Sequence, residues 1–320
     1  MKLCLGIVGI LLSFVGVGQS VAPKEAATSE MAVTLTTPNG NIAGWLTMPT
    51  GADKKTVALI IAGSGPTDKD GNNPMMKNNS LKMLSDTLVQ HGIATLRYDK
   101  RGVGASKEAA KAKVDIRFDD FVADASGWIQ WLKKDGRFSR VVVIGHSEGS
   151  LIGMLVASAA NAYVSLAGAG RKIDELLREQ FMVQPPMIRD MALPLIDSLA
   201  QGKTVDSVNT MLYSVFRPSI QPYIISWLHY DPQVEIAKLK VPVLIVQGEQ
   251  DIQVKVEDAQ RLSKANPKGR LVLIPGMNHV FKHVEGDRAA NLKTYNDPSL
   301  PNEPELGQQI VAFIRKAKST

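Results

Sequence analysis

The chain has 320 residues, 44% of them hydrophobic and 21% charged, the balance of a globular protein long enough for one large α/β domain or two small ones. Its net charge of +6 is dispersed: basic pairs such as Lys54-Lys55, Lys133-Lys134 and Arg171-Lys172 are short and isolated. That pattern reads as a solvated surface and excludes nucleic acid as an expected partner.

The N-terminus carries its own signal. Lys2 precedes an apolar run over 3–17, and Gly18 and Ser20 supply small residues around Gln19. This reads as a signal peptide over 1–20, cut after Ser20, and hence as export to the periplasm or beyond. The run is short for a span of roughly 20 residues, so no stable membrane insertion is expected after cleavage. Cys4 is the only cysteine and sits too early for lipid attachment. The mature chain would therefore hold its fold by core packing alone, without disulfides. Residues 21–30, rich in Ala, Thr, Ser and Glu, read as a flexible leader.

Alternating runs over 32–36 and 42–47 flank Pro38-Asn39-Gly40-Asn41, the signature of a β-hairpin. Residues 56–61 form a nearly continuous apolar strand, as expected where both sheet faces are covered. The strand enters a loop, Ala62-Gly63-Ser64-Gly65-Pro66-Thr67-Asp68-Lys69-Asp70-Gly71-Asn72-Asn73. Backbone N–H groups of such a loop can face a developing negative charge. Asp68, Asp70 and Asn72 have the opening spacing of a calcium loop. Asn73 and Asn79 stand where that loop needs its turn glycine and bidentate glutamate, so no metal is expected.

The spacing predicts a helix over 80–90, with Leu81, Leu84 and Leu88 on one face and His91-Gly92 at its end. A strand over 93–98 and a turn-rich loop over 99–106 follow. The next helix covers 118–134, with Phe121, Ala125, Trp128 and Leu132 on one face. Residues 163–168 form a further strand.

Between these lies Val141-Val142-Val143-Ile144-Gly145-His146-Ser147-Glu148-Gly149-Ser150, followed by apolar residues with many small side chains. A buried strand, Gly-x-Ser-x-Gly and a buried helix together make a nucleophile elbow. The turn strains the serine backbone, and side chains at Gly145 and Gly149 would strike the neighbouring strand and helix. The helix start behind Ser147 leaves N–H groups free for an oxyanion.

From 171 to 230 the strand–helix alternation gives way to helices, broken at Pro185-Pro186 and Gln201-Gly202. We read this as a helical cap over the active edge, with Met182, Met187, Met191 and Met211 either lining an adaptable pocket or packing the cap core. Residues 241–248 resume the sheet and end in Glu249-Gln250-Asp251. A helix over 256–265, a last strand over 270–275, the turn Gly276-Met277-Asn278-His279 and a helix over 305–316 complete the chain. The alternation argues a mostly parallel, doubly wound α/β sheet: core over 31–170, cap over 171–230, core again over 231–320. Active groups should collect outside the C-terminal strand ends.

A serine hydroxyl needs a base and an orienting acid. The order serine, acid, histidine along the chain selects Ser147 as nucleophile, Asp251 as acid and His279 as base. Glu249 and His283 are the rivals. The Glu148 amide and an amide of the Ser64 or Gly65 region would bind the oxyanion, with no part required of the Glu148 side chain.

These residues resemble the α/β-hydrolase superfamily. The resemblance rests on Gly145-His146-Ser147-Glu148-Gly149, Asp99-Lys100-Arg101-Gly102-x-Gly104-x-Ser106, Gln247-Gly248-Glu249-Gln250-Asp251 and Asn278-His279, and it covers nearly everything after Met31. The Gly63–Asn72 loop is similar to a bacterial esterase branch related to the serine aminopeptidase-like hydrolases. The resemblance implies an α/β-hydrolase fold, cofactor-free hydrolysis of small carboxylic esters through an acyl-enzyme, and structural roles for Asp99 and Arg101. One departure is Ala62, where the common loop has histidine, which leaves open what anchors the loop. Aminopeptidase or thioesterase chemistry with the same triad, and a non-enzymatic binding module, are the alternative readings. For an aminopeptidase, Asp174, Glu175, Glu179, Asp190 or Asp197 would hold the substrate ammonium.

Overall fold

In the computed structural model, residues 29–51, 55–110 and 116–317 are described. The proposed signal peptide and most of the proposed leader lie outside them. The chain opens with strands β1 (Ser29–Thr37) and β2 (Gly40–Met48), then β3 (Lys55–Ile61), helix α1 (Ser80–Gln90), β4 (Ala94–Tyr98), α2 (Phe118–Lys134), β5 (Phe138–His146), α3 (Glu148–Val156) and β6 (Ala162–Leu166). A helical insertion follows: α4 (Ile173–Met182), α5 (Pro186–Ala200), α6 (Tyr213–Phe216) and α7 (Gln221–Trp227). Then come α8 (Pro232–Ala237), β7 (Val243–Gly248), α9 (Val256–Ala265), β8 (Arg270–Ile274), α10 (Arg288–Lys293) and α11 (Pro304–Lys316).

The strands form one sheet in the order β1-β2-β4-β3-β5-β6-β7-β8. The pairs β1–β2 and β2–β4 are antiparallel, and the other neighbours run parallel. The hairpin turns at Pro38-Asn39, with Thr37 opposite Gly40, one residue earlier than an Asn-Gly turn would place it. β1 also starts inside the expected leader. Glu30 pairs with Thr47 in the sheet and its carboxylate meets the buried Arg97 guanidinium, so these residues are held by a strand partner and a charge.

β3 shows why the sheet is covered on both faces. Val57, Leu59 and Ile61 point into one core with Trp128 of α2, Leu151 of α3 and Leu262 of α9. Ala58 and Ile60 point into the other, with Leu84 of α1 and Ile310 of α11. Alternation with period two feeds two cores, and each fully buried leucine or isoleucine contributes roughly 2 kcal/mol. Helix ends follow their charges: α2 has Asp119 and Asp120 in its first turn and Lys133 and Lys134 in its last, matching its dipole.

The chain runs from β3 outward to β4, then crosses to β5 on the other side of β3. The direction of winding therefore reverses between β3 and β5, where an open α/β sheet has its crevice. The insertion has an apolar cluster of its own, including Ile196, Leu199, Leu212 and Phe216. It docks on α2: Trp227 stacks on Phe118 with centroids 5.3 Å apart, and the Ser226 Oγ accepts the Phe118 amide at 2.8 Å. Met182, Met187 and Met211 are exposed rather than packed within that cluster.

Candidate active site

The elbow forms between β5 and α3. Ser147 sits at its tip with φ 55° and ψ −118°, a backbone state that costs a non-glycine residue of order 1–3 kcal/mol. The turn is held from both sides. The Ser147 amide donates to the Leu166 carbonyl at 2.9 Å, and the Ser150 amide returns to the Ser147 carbonyl at 2.9 Å. A Cβ on Gly145 would lie 2.1 Å from the Gly149 carbonyl oxygen. One on Gly149 would lie 2.4 Å from the Ile61 carbonyl oxygen. Both obstacles are backbone, so both positions require glycine. Glu148 opens α3, and its amide has no carbonyl one turn earlier in the helix to take it.

Asp251 follows β7 and is held by four donors. Its Oδ1 accepts the Gln253 and Val254 amides at 2.7 and 2.9 Å. Its Oδ2 accepts Gln247 Nε2 at 3.0 Å and His279 Nδ1 at 2.7 Å. Burial works against its charge, but His279 and these donors overcome it and hold the carboxyl below the usual range. An ionised Asp251 accepts the hydrogen bond of the His279 Nδ1–H, which fixes the tautomer and leaves the Nε2 lone pair free.

His279 follows β8 on a loop built around Asn278. The Asn278 Oδ1 accepts the Val280 and Lys282 amides at 3.1 and 2.9 Å, and its Nδ2 donates to Asn291 and Thr294. The Gln250 amide donates to the Met277 carbonyl at 2.9 Å, joining the acid loop to the histidine loop. His146, beside Ser147, reaches across to this loop. Its ring lies 4.8 Å from those of His279 and Phe281, and its Nε2–H donates to the His279 carbonyl at 3.0 Å. Burial, with the His279 charge next, pushes the His146 pKa down to about 3, so this ring is neutral.

The first loop approaches the same point. A Cβ on Gly63 would stand 3.2 Å from the Ser147 Cβ, which places the Gly63–Ser64 peptide against the elbow. The Asp68, Asp70 and Asn72 side chains hold this loop together. Asp68 Oδ1 accepts the Asp70 and Asn72 amides, Asn72 Oδ1 accepts the Asn78 and Asn79 amides, and Asp70 pairs with Arg97. Asp99 accepts the Lys69 and Ala105 amides. Arg101 forms a buried two-point pair with Asp124 at 2.6 and 3.1 Å.

Asp251, His279 and His146 thus form one connected group, which reaches the elbow through His146, the chain neighbour of Ser147, while Gly63 lies against the Ser147 Cβ. The rivals stand elsewhere. His283 Nδ1 lies 2.7 Å from Glu303, is half exposed and is raised by that carboxylate; Glu249 is exposed. His91 caps a carbonyl of its own helix, and His229 is exposed. Sequence reasoning missed His146, Gln247 and a buried pair, Lys100 with Glu148 at 3.2 Å. Only the charged residue inside the otherwise apolar run after Ser147 hinted at the last.

Residues 78–214 match the family described as serine aminopeptidase, S33. The chain is 26% identical over 265 residues to esterase EstD of Thermotoga maritima, an alignment covering 78% of this chain and 60% of that protein's length. Among solved structures it is similar to Est1E of Butyrivibrio proteoclasticus, with 21% identity, a TM-score of 0.61, and coverage of 89% of this chain and 99% of that one. A second structure of that protein has ferulic acid bound. The Pyrococcus furiosus esterase Pf2001 is also similar, with 19% identity, a TM-score of 0.53, and coverage of 92% and 95%. The chain has the α/β-hydrolase fold.

Proposed function

We propose that this α/β-hydrolase chain is a serine hydrolase of small carboxylic esters. Ser147 Oγ attacks the acyl carbonyl while His279 Nε2 takes its proton. The tetrahedral oxyanion rests on the Ser64 and Glu148 amides. The carbon–oxygen bond to the alcohol breaks, and His279 returns the proton to the departing oxygen. Water, activated by the same histidine, then releases the acid and restores Ser147.

The observation that carries this reading is the 2.7 Å bond between Asp251 and His279, on the same sheet edge as a strained elbow serine. The similarity to esterases supports the substrate class. We assign short to medium acyl groups because α7 of the insertion, read as a cap, brings Tyr223 against Phe121 beside the elbow, with ring centroids 5.6 Å apart. A fluorophosphonate probe should label the purified protein at Ser147 and should not label Ser147→Ala. A folded parent that resists the probe would favour a binding module on this fold.

The aminopeptidase reading needs an unengaged carboxylate for the substrate ammonium. Of the five cap carboxylates, Glu179 is paired with Arg171 and Lys255, Asp190 with Arg189 and Asp197 with Arg178, which leaves Asp174, whose Oδ1 is buried without a hydrogen-bond partner, and Glu175 for that role. The similarity to esterases is what weighs toward esters. Faster cleavage of aminoacyl amides than of the matching esters would reverse that choice. We further propose that the protein is exported after cleavage behind Ser20. Mass spectrometry of exported protein should begin at Val21, and a mass beginning at Met1 would contradict cleavage.

A further inference from the structure

Three backbone segments meet at Lys100, a lysine almost wholly withdrawn from solvent on the loop after β4. Its Nζ donates to the Gly63 carbonyl at 2.5 Å and to Glu148 Oε1 at 3.2 Å. The Phe121 ring lies 5.4 Å from the ammonium. Taking such a charge from water costs several kcal/mol unless partners compensate it. One partner is the carbonyl end of the Gly63–Ser64 peptide and the other is the side chain of Glu148, and the Ser64 and Glu148 amides are the two already assigned to the oxyanion.

The chemistry of the first contact is specific. The Gly63 carbonyl and the Ser64 N–H are the two ends of one planar peptide unit. An ammonium on the oxygen end fixes the plane of that unit, and so the direction in which the N–H points. It also draws electron density toward the oxygen, which strengthens the N–H as a donor. The second contact runs to the carboxylate of Glu148, whose own amide is the other proposed donor. One cation therefore ties the loop after β3 to the first residue of α3.

We propose that Lys100 is the positioning residue of the oxyanion site, aiming the Ser64 amide through the Gly63 carbonyl and the Glu148 amide through its side chain. This rests on the serine-hydrolase reading above. It also answers what anchors a loop that has Ala62 in place of a histidine. The Glu148 side chain, to which the sequence reading gave no part, becomes the counter-ion of the anchor. Because the charge on the oxyanion exists only after attack, the contribution of Lys100 falls on kcat rather than KM.

The test uses the whole protein, p-nitrophenyl butyrate and three variants: Lys100→Met, Lys100→Arg and the double variant Lys100→Met with Glu148→Gln. The double variant removes the carboxylate that the single change leaves stranded, and urea unfolding reports the stability of each. Deleting a whole oxyanion donor costs about 100–1000-fold in kcat, so misaiming donors should cost about 10–100-fold. KM should change by no more than about threefold, and affinity for a trifluoromethyl ketone, which forms a tetrahedral oxyanion adduct, should fall in step with kcat. Lys100→Arg should recover part of kcat, and the double variant should regain stability without regaining kcat.

Parent-like kcat in folded Lys100→Met would overturn the proposal. So would a rise in KM alone, or kcat restored in the double variant. Failure of both Met-containing variants to fold would make Lys100 a stability residue and overturn it equally. The hydrolase reading fails separately, by absence of Ser147-dependent turnover in the parent.

Discussion

His146 and His279 are joined by a hydrogen bond from the Nε2–H of one to the main-chain carbonyl of the other, 3.0 Å long. The residue beside the proposed nucleophile thus holds the backbone of the proposed base. Two loops that are 133 positions apart are fixed against each other by one neutral ring.

That ring makes stability depend on pH in a defined direction. Its folded pKa of about 3 lies below the ordinary histidine value near 6.5, because burial disfavours the charged form. Between those values the unfolded chain binds a proton that the folded chain refuses, so unfolding becomes easier as pH falls. The loss approaches 1.4 kcal/mol per pH unit, to order of magnitude, once pH is below about 6. Urea unfolding at pH 7, 6 and 5 should show a steeper decline in the parent than in His146→Gln. Equal slopes would mean that His146 takes up its proton in the folded state.

Asp251 titrates in a different window. Its folded pKa is depressed, so its contribution is complete above the unfolded carboxylate range and fades only as pH drops through the lower folded value. At neutral pH its proposed role is orientation of His279. Asp251→Asn should keep the fold and KM while lowering kcat by about four orders of magnitude, through the wrong imidazole tautomer. Steady-state kinetics would detect this, and a loss below about tenfold would move the acid elsewhere.

The elbow glycine is testable through stability alone. Gly149→Ala places a methyl 2.4 Å from the Ile61 carbonyl oxygen and 2.6 Å from that of Ala62, so β3 and α3 must separate. We expect a loss of at least about 3 kcal/mol, at the upper end for overpacked sites. Gly136→Ala meets nothing within 4 Å and should change stability by no more than about 0.5 kcal/mol. Equal unfolding midpoints for the two variants would remove the steric account of the motif.

Much of this fold can be read along the chain, because its signals are local. The helices α1, α2 and α9 end where their apolar stripes meet His91-Gly92, Asp135-Gly136 and Asn266. The elbow is legible for the same reason: strand, turn and helix are consecutive. What escaped the sequence depends on distant contacts. Lys100 and Glu148 are 48 positions apart, and only the charge of Glu148 in an otherwise apolar run hints at a buried pair, without naming its partner. Glu30 looked like leader because its partner Arg97 is supplied by another strand. The carbonyl that His146 reaches belongs to another loop, 133 positions away.

The central claim is that Ser147 attacks esters. Its most direct measurement is hydrolysis of p-nitrophenyl acetate, butyrate and octanoate by the purified protein and by Ser147→Ala, with folding of both verified. The account predicts turnover by the parent, fastest on acetate or butyrate, and loss of at least about four orders of magnitude in kcat on substitution. Undiminished hydrolysis by Ser147→Ala, or a folded parent inert toward all three esters, would contradict it.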